Sequence, residues 1–236
     1  MGEIAALATS FCWSLNSIQF TFAGRLVGSR VVNRVRLGFA VVFLSLSHLA
    51  LYGTLLPAEA EFQRWAWLGL SGTIGLIIGD GSLFQAFLLI GPRRSMMLMT
   101  LVPVISTLAA WVLLGEILLP VEILAILITV SGVAWVVSER QPEPASVDRD
   151  PSDRALGVLL GLAGAAGQAL GLVAAKRGLA GDFPALSATV IRMVIAATLI
   201  WLLSLIRGQV GPTWEALKDR RALLWLAGGA LIGPFV

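Results

Sequence analysis

The chain has 236 residues, 57% of them hydrophobic and 13% charged, with a mean hydropathy of +0.87. Soluble domains run near 45–50% apolar and about 25% charged, so a water-soluble globule is excluded: it would lack the charge to cover its own surface. The formal charge of +3 does not make a nucleic-acid binder, because the 17 Lys and Arg sit in short clusters between apolar runs, as loop charges of a membrane protein do. One Cys excludes a disulfide framework and one His removes most metal-site schemes; neither metal nor cofactor is expected.

A helix needs about 20 mostly apolar residues to cross the hydrocarbon layer. In chain order, the predicted spans are 4–24, 36–56, 65–90, 95–115, 120–138, 155–175, 184–206 and, in part, 222–236. Barrel strands would alternate apolar and polar residues, whereas these runs are apolar all round. The first run is no secretory signal, since Met1-Gly2-Glu3 is acidic where a signal is basic. It is no myristoylation motif either, because position 6 is Ala6.

Counting Lys and Arg in alternate loops gives 13 on the side opposite the N-terminus, Arg34 and Arg36 among them, against 3 (Arg64, Lys176, Arg177) on its own side. The positive-inside rule then predicts an external N-terminus and a cytoplasmic linker at 139–154, where the chain turns polar, charged and Pro-containing. Residues 207–221, with Trp214 and Lys218-Asp219-Arg220-Arg221, read as an interfacial connection on the same face.

The two parts flanking the linker resemble each other. Arg36-Leu37-Gly38-Phe39-Ala40 matches Arg192-Met193-Val194-Ile195-Ala196 at an offset of 156, and Trp67-Leu68-Gly69 matches Trp225-Leu226-Ala227 at 158. Because five spans precede the linker, a second copy enters the membrane inverted, as in many secondary transporters with a site near mid-bilayer. A full second copy would reach about 59 residues past Val236, so the second repeat is expected to be incomplete.

Polar groups at membrane depth are costly and normally face protein or a wet cavity. Asp80, in Ile78-Gly79-Asp80-Gly81-Ser82, has no charge within ten residues on either side. It reads as a cavity carboxylate for a cationic group or a proton, or as a structural acid satisfied by neighbouring donors. Arg192 would pair with Asp80, bind an anionic substrate, or snorkel to the interface. Asn16 and Gln19 share a helical face and either line a cavity or bond between helices. Trp13 is a cavity aromatic or, more plainly, packing. Glu116 and Glu122 lie at helix ends, and His48 reads as a satisfied packing residue. The glycines of the third and sixth spans give close-approach surfaces.

The run Gly79-Asp80-Gly81-Ser82-Leu83-Phe84-Gln85-Ala86, then Ile90-Gly91-Pro92-Arg93-Arg94-Ser95, Leu101-Val102-Pro103-Val104, Leu114-Gly115-Glu116 and Gly132-Val133 resembles the EamA-like family of the drug/metabolite transporter superfamily. The resemblance implies an all-α polytopic bundle of two inverted five-helix repeats. Residues 1–138 form the first and 155–236 the second, truncated in its third span. It further implies a secondary-active carrier of small metabolites such as amino acids, nucleosides or drugs, working by alternating access in the inner membrane with proton or solute coupling. Substrate-binding or coupling residues are then Asp80, Asn16, Gln19, Arg192, Trp13 and Gln85. The expected partners are a small-molecule substrate and the bilayer, with a homodimer left open. The competing readings are a non-transporting scaffold or inactive fragment, and, less favoured, an intramembrane enzyme acting on a lipid-linked substrate.

Overall fold

The computed structural model describes residues 2–138 and 151–233, and every regular element among them is helical. In order these are α1 (Gly2–Val27), α2 (Ser29–Tyr52) and α3 (Phe62–Gly72), which runs on through a π-helical segment (Thr73–Gly79) into α4 (Asp80–Met99). They are followed by α5 (Val102–Leu114), α6 (Pro120–Ser138), α7 (Pro151–Gly178), α8 (Ala185–Ile206), α9 (Val210–Lys218) and α10 (Arg220–Ile232). Among the described residues, four helical runs are long and apolar enough to cross a membrane: Ser29–Tyr52, Phe62–Met99, Ser152–Gly178 and Ala185–Ile206. Val102–Leu113 and Pro120–Val136 are apolar but shorter.

Several predicted boundaries move, each for a local reason. The second span starts at Ser29 rather than 36, so Arg34 and Arg36 lie inside a helix and not in a loop. Within α4 the helical path breaks at Gly91 (φ 81, ψ 160); the ring of Pro92 disfavours a helical residue before it, and only Gly adopts that conformation readily. The expected span 95–115 is divided at Thr100–Leu101, whose N–H groups close onto Met97 and Leu98 at 3.1 Å each. Pro103, near the start of α5, has no N–H to continue the ladder. Residues 139–150 of the expected linker lie outside the described residues, and its last four residues are already helical because α7 opens on Pro151 with Asp153 in its first turn. Helix α10 opens on Asp219, whose carboxylate accepts the Arg221 N–H at 2.8 Å; residues 234–236 lie outside the described ones.

Helix α7 lies along α3, the π-helical segment and α4, while α1 packs on α10. Helices α2 and α8 pair centrally, with α10 also against α2 and α3 against α8. The α7 contact is a meeting of two glycine rows. A Cβ on Gly167 would fall 2.6 Å from the Gly79 Cα, and one on Gly171 would fall 3.0 Å from the Gly75 Cα. Bare backbones approach here because nothing larger than hydrogen fits, the usual solution where lipid offers no hydrophobic drive between helices. Large apolar side chains such as Val112, Ile128, Trp135 and Ile206 point outward, as a lipid-facing surface requires.

Gly167→Val inserts a branched side chain where there is no space, and overpacking of this kind costs about 1–3 kcal/mol or more. The purified variant in detergent should melt at least several degrees below the parent by tryptophan fluorescence. Gly132→Val, at a position with no heavy atom within 4 Å, should not; equal melting of the two variants would contradict the glycine contact.

Candidate functional site

Asp80 is the first residue of α4, at the end of the π-helical segment, and its exposure is 0%. An ionised carboxylate this deep needs charged or multiple donors. Both of its oxygens have them: Arg36 Nη2 donates to Oδ2 and Gln168 Nε2 to Oδ1. Arg36 comes from α2 and is itself only 8% exposed. Its guanidinium lies over the Phe84 ring at 5.1 Å and near that of Phe20 at 5.9 Å, two neighbouring aromatic faces that attract the cation. The same Nη2 reaches Asn33 Oδ1 at 3.2 Å. Asn33 in turn donates to the Leu76 carbonyl at 2.9 Å, inside the π-helical segment. Widened turns of this kind leave carbonyls with altered partners and recur at functional sites.

Arg192 enters from α8. Its Nη2 lies 3.6 Å, and Gln168 Oε1 3.7 Å, from the point where a Gly75 side chain would begin, so Gly75 leaves the room both side chains occupy. Arg192 therefore shares the Gly75 space with the amide bonded to Asp80. Two arginines lie at the centre, Arg36 on the carboxylate and Arg192 beside its amide partner, and neither Arg36 Nε nor Arg192 Nε has a partner among the described residues.

Beside this network lies a cavity of about 920 Å³. Asn33, Gly81, Ser82 and Gln85 line it together with Arg30, Arg34 and Arg207. Gln85 accepts a hydrogen bond from Ser29 at 2.5 Å. Asn33 belongs to both the cavity and the charge network, so it is the physical link between them.

The remaining candidates sit elsewhere. Asn16, oriented by its partners, donates to the Gly229 carbonyl at 2.8 Å and accepts from the Gly233 N–H at 3.1 Å, tying α1 to α10. Gln19 lies against Gly228; its Oε1 is buried without a partner among the described residues. Trp13 packs on the apolar cluster around Phe20, Phe84 and Leu226. Glu116 pairs with Lys176 of α7, and Glu122 accepts the Leu119 N–H at 2.8 Å. His48 is held between the Thr54 carbonyl (2.6 Å) and Ser187 (3.0 Å).

Sequence reasoning missed Arg36, Asn33, Arg34 and Gln168. Arg34 and Arg36 were assigned to a loop. Gln168 is the sole polar residue of the 155–175 run, which is a readable signal. Arg36 was also readable, because the internal match sets it opposite Arg192.

The bundle is that of a multi-pass membrane protein with an ionic centre inside its helices. The sequence profile of the EamA-like transporter family matches residues 1–138. The chain belongs to that family, a group of membrane transporters in the drug/metabolite superfamily. No curated protein matches it.

Breaking a buried ion pair by removing one partner costs about 3–5 kcal/mol, because the other charge is left unpaired. Arg36→Ala should therefore lower the unfolding free energy in detergent by about that amount. Arg36→Ala combined with Asp80→Ala should recover a large part of it. Simple additivity of the two single losses would show that the pair is not coupled.

Proposed function

We propose that the chain is a secondary-active transporter of small metabolites in the inner membrane, working by alternating access between two inverted repeats, 1–138 and 155–236. The observation that carries this reading is the network at Asp80. It joins a carboxylate and an arginine from the first half (Asp80, Arg36) to an amide and an arginine from the second (Gln168, Arg192). The repeat is supported by the pairing of helices: α1 against α10 answers α7 against α3–α4, and α2 on α10 answers α8 on α3, about the central α2–α8 pair. The equivalent positions of Arg36 and Arg192 point the same way.

In the mechanism, Asp80 is the shared counter-ion. With Arg36 bound to it, the cavity beside Asn33 has the volume and lining described above. Transfer of Asp80 from Arg36 toward Arg192, prompted by cargo or by a proton on the carboxylate, lets one half move against the other. The glycine contact between α7 and the third span is the sliding surface, and Asn16 and Gln19 hold the α1–α10 contact. Gln85 is the cavity residue closest in kind to a substrate ligand. The arginines gathered at Arg30, Arg34 and Arg207 support a cytoplasmic assignment for that end, and with it an external N-terminus and a cytoplasmic linker at 139–154.

Asp80→Asn keeps the size of the side chain and removes its charge. In proteoliposomes under an imposed pH gradient, with a panel of labelled amino acids, nucleosides and dicarboxylates, the parent chain should accumulate at least one solute. The variant should lose that accumulation more than tenfold while remaining folded. Parent rates in the variant would sink the coupling role, and a parent chain that moves none of the panel would overturn the carrier reading.

A further inference from the structure

We propose that the 920 Å³ cavity takes a small organic anion, a metabolite bearing a carboxylate or phosphate group; this deepens the carrier reading above and rests on it. Three arginines line the cavity and no acidic side chain does, among the described residues. Its other polar walls are hydroxyl and amide groups, which can donate as well as accept: Ser29, Asn33, Ser82, Gln85, Ser204 and Gln209. A cationic solute would find no counter-charge there, and an anion finds three.

Loop arginines at a cytoplasmic end are expected of any membrane protein, and Arg30 and Arg207, both exposed, fit that explanation alone. Arg34 does not. It lies one turn inside α2, is 3% exposed, and has no acidic partner among the described residues. Its Nε donates to the Arg30 carbonyl at 3.2 Å and its Nη1 to the Gln209 carbonyl at 2.5 Å, so the guanidinium is fixed in position by neutral oxygens while its charge stays uncompensated. A planar, pre-oriented guanidinium with spare N–H donors is the side chain that binds carboxylate and phosphate in a bidentate way. The volume is within the range of small-ligand pockets, roughly 300–1,000 Å³. An anion seated against Arg34 would also lie beside Asn33, whose amide holds Arg36 at Asp80, so the cavity's occupant reaches the charge network through one side chain.

The test uses the full 236-residue chain in phosphatidylcholine nanodiscs and follows its melting with succinate, glycerol 3-phosphate, putrescine, or potassium chloride at matched ionic strength. One or both anions should raise the melting temperature by several degrees, saturably, and the other two solutes should not; which anion acts tells carboxylate from phosphate. Arg34→Gln should weaken the apparent affinity at least tenfold. Because Arg34 also ties two carbonyls, Arg207→Gln, at an exposed position, serves as the second variant and should weaken it about threefold; it decides the matter if Arg34→Gln does not fold. Stabilisation by putrescine overturns the proposal, as do equal responses of parent and variants, no response to either anion, or a response only to added phosphatidylglycerol, which would mean a lipid headgroup. The same solutes are then followed for uptake. An anion that binds but is not moved leaves the site standing and removes the carrier; putrescine moved while neither anion binds does the reverse.

Discussion

A carboxylate with no exposed surface, set within helices apolar enough to cross a membrane, is the constraint around which this bundle is organised. Burying that carboxylate is costly, and the cost is offset by donors that reach both oxygens from outside its own helix. Arg36 has to come from α2 and Gln168 from α7, which forces three helices into register with one another. Once that is required, the glycines follow. Gln168 reaches Asp80 because Gly164, Gly167 and Gly171 let α7 settle directly on the backbone of the third span. A larger residue at any of them would push the amide out of range.

The second consequence concerns charge. Asp80 offsets only one of the two guanidinium groups near it, so the centre carries a net positive charge inside an apolar shell. Such an arrangement is held by aromatic faces, Phe20 and Phe84 at Arg36, and by the Asn33 amide oxygen, which accepts from Arg36. These groups stabilise a cation without neutralising it. The cavity next door repeats the pattern at Arg34, whose carbonyl partners do the same. Positive charge held by neutral oxygens is thus a property of this whole end of the molecule, and it sets what kind of solute the interior tolerates.

How much of this was legible in the sequence depended on whether a residue declared itself locally. Asp80 did, as an isolated acid in an apolar run. The close-approach glycines did, by spacing. The helical class and family followed from composition and from short motifs between Gly79 and Val133. Arg36 did so only through its internal match to Arg192, because hydropathy places a span boundary where charge begins, and α2 carries Arg34 and Arg36 inside the helix by burying them against other helices. No local pattern announces that; it is a tertiary fact. Asn16 and Gln19 read equally as cavity lining or as bonds between helices; Asn16 ties two helices and Gln19 lies against α10, and a polar stripe is the same pattern whether water or a neighbouring backbone faces it. The division at Thr100 was visible in Pro103 but outweighed by an unbroken apolar run.

The π-helical segment has one more implication. A turn that closes onto the fifth residue back instead of the fourth holds one residue more than an α-helical turn. Thr73–Gly79 is therefore equivalent to an α-helix with a single inserted amino acid. Each residue of an α-helix advances about 100° around the axis. Wound as an ordinary α-helix with all its residues, that stretch would swing Asp80 about a quarter-turn away from Arg36 and Gln168. The widened turn absorbs the extra residue, and loss of one codon there would let the helix relax to ordinary geometry without that swing. The ionic centre thus depends on how that turn is wound as well as on the identity of its residues.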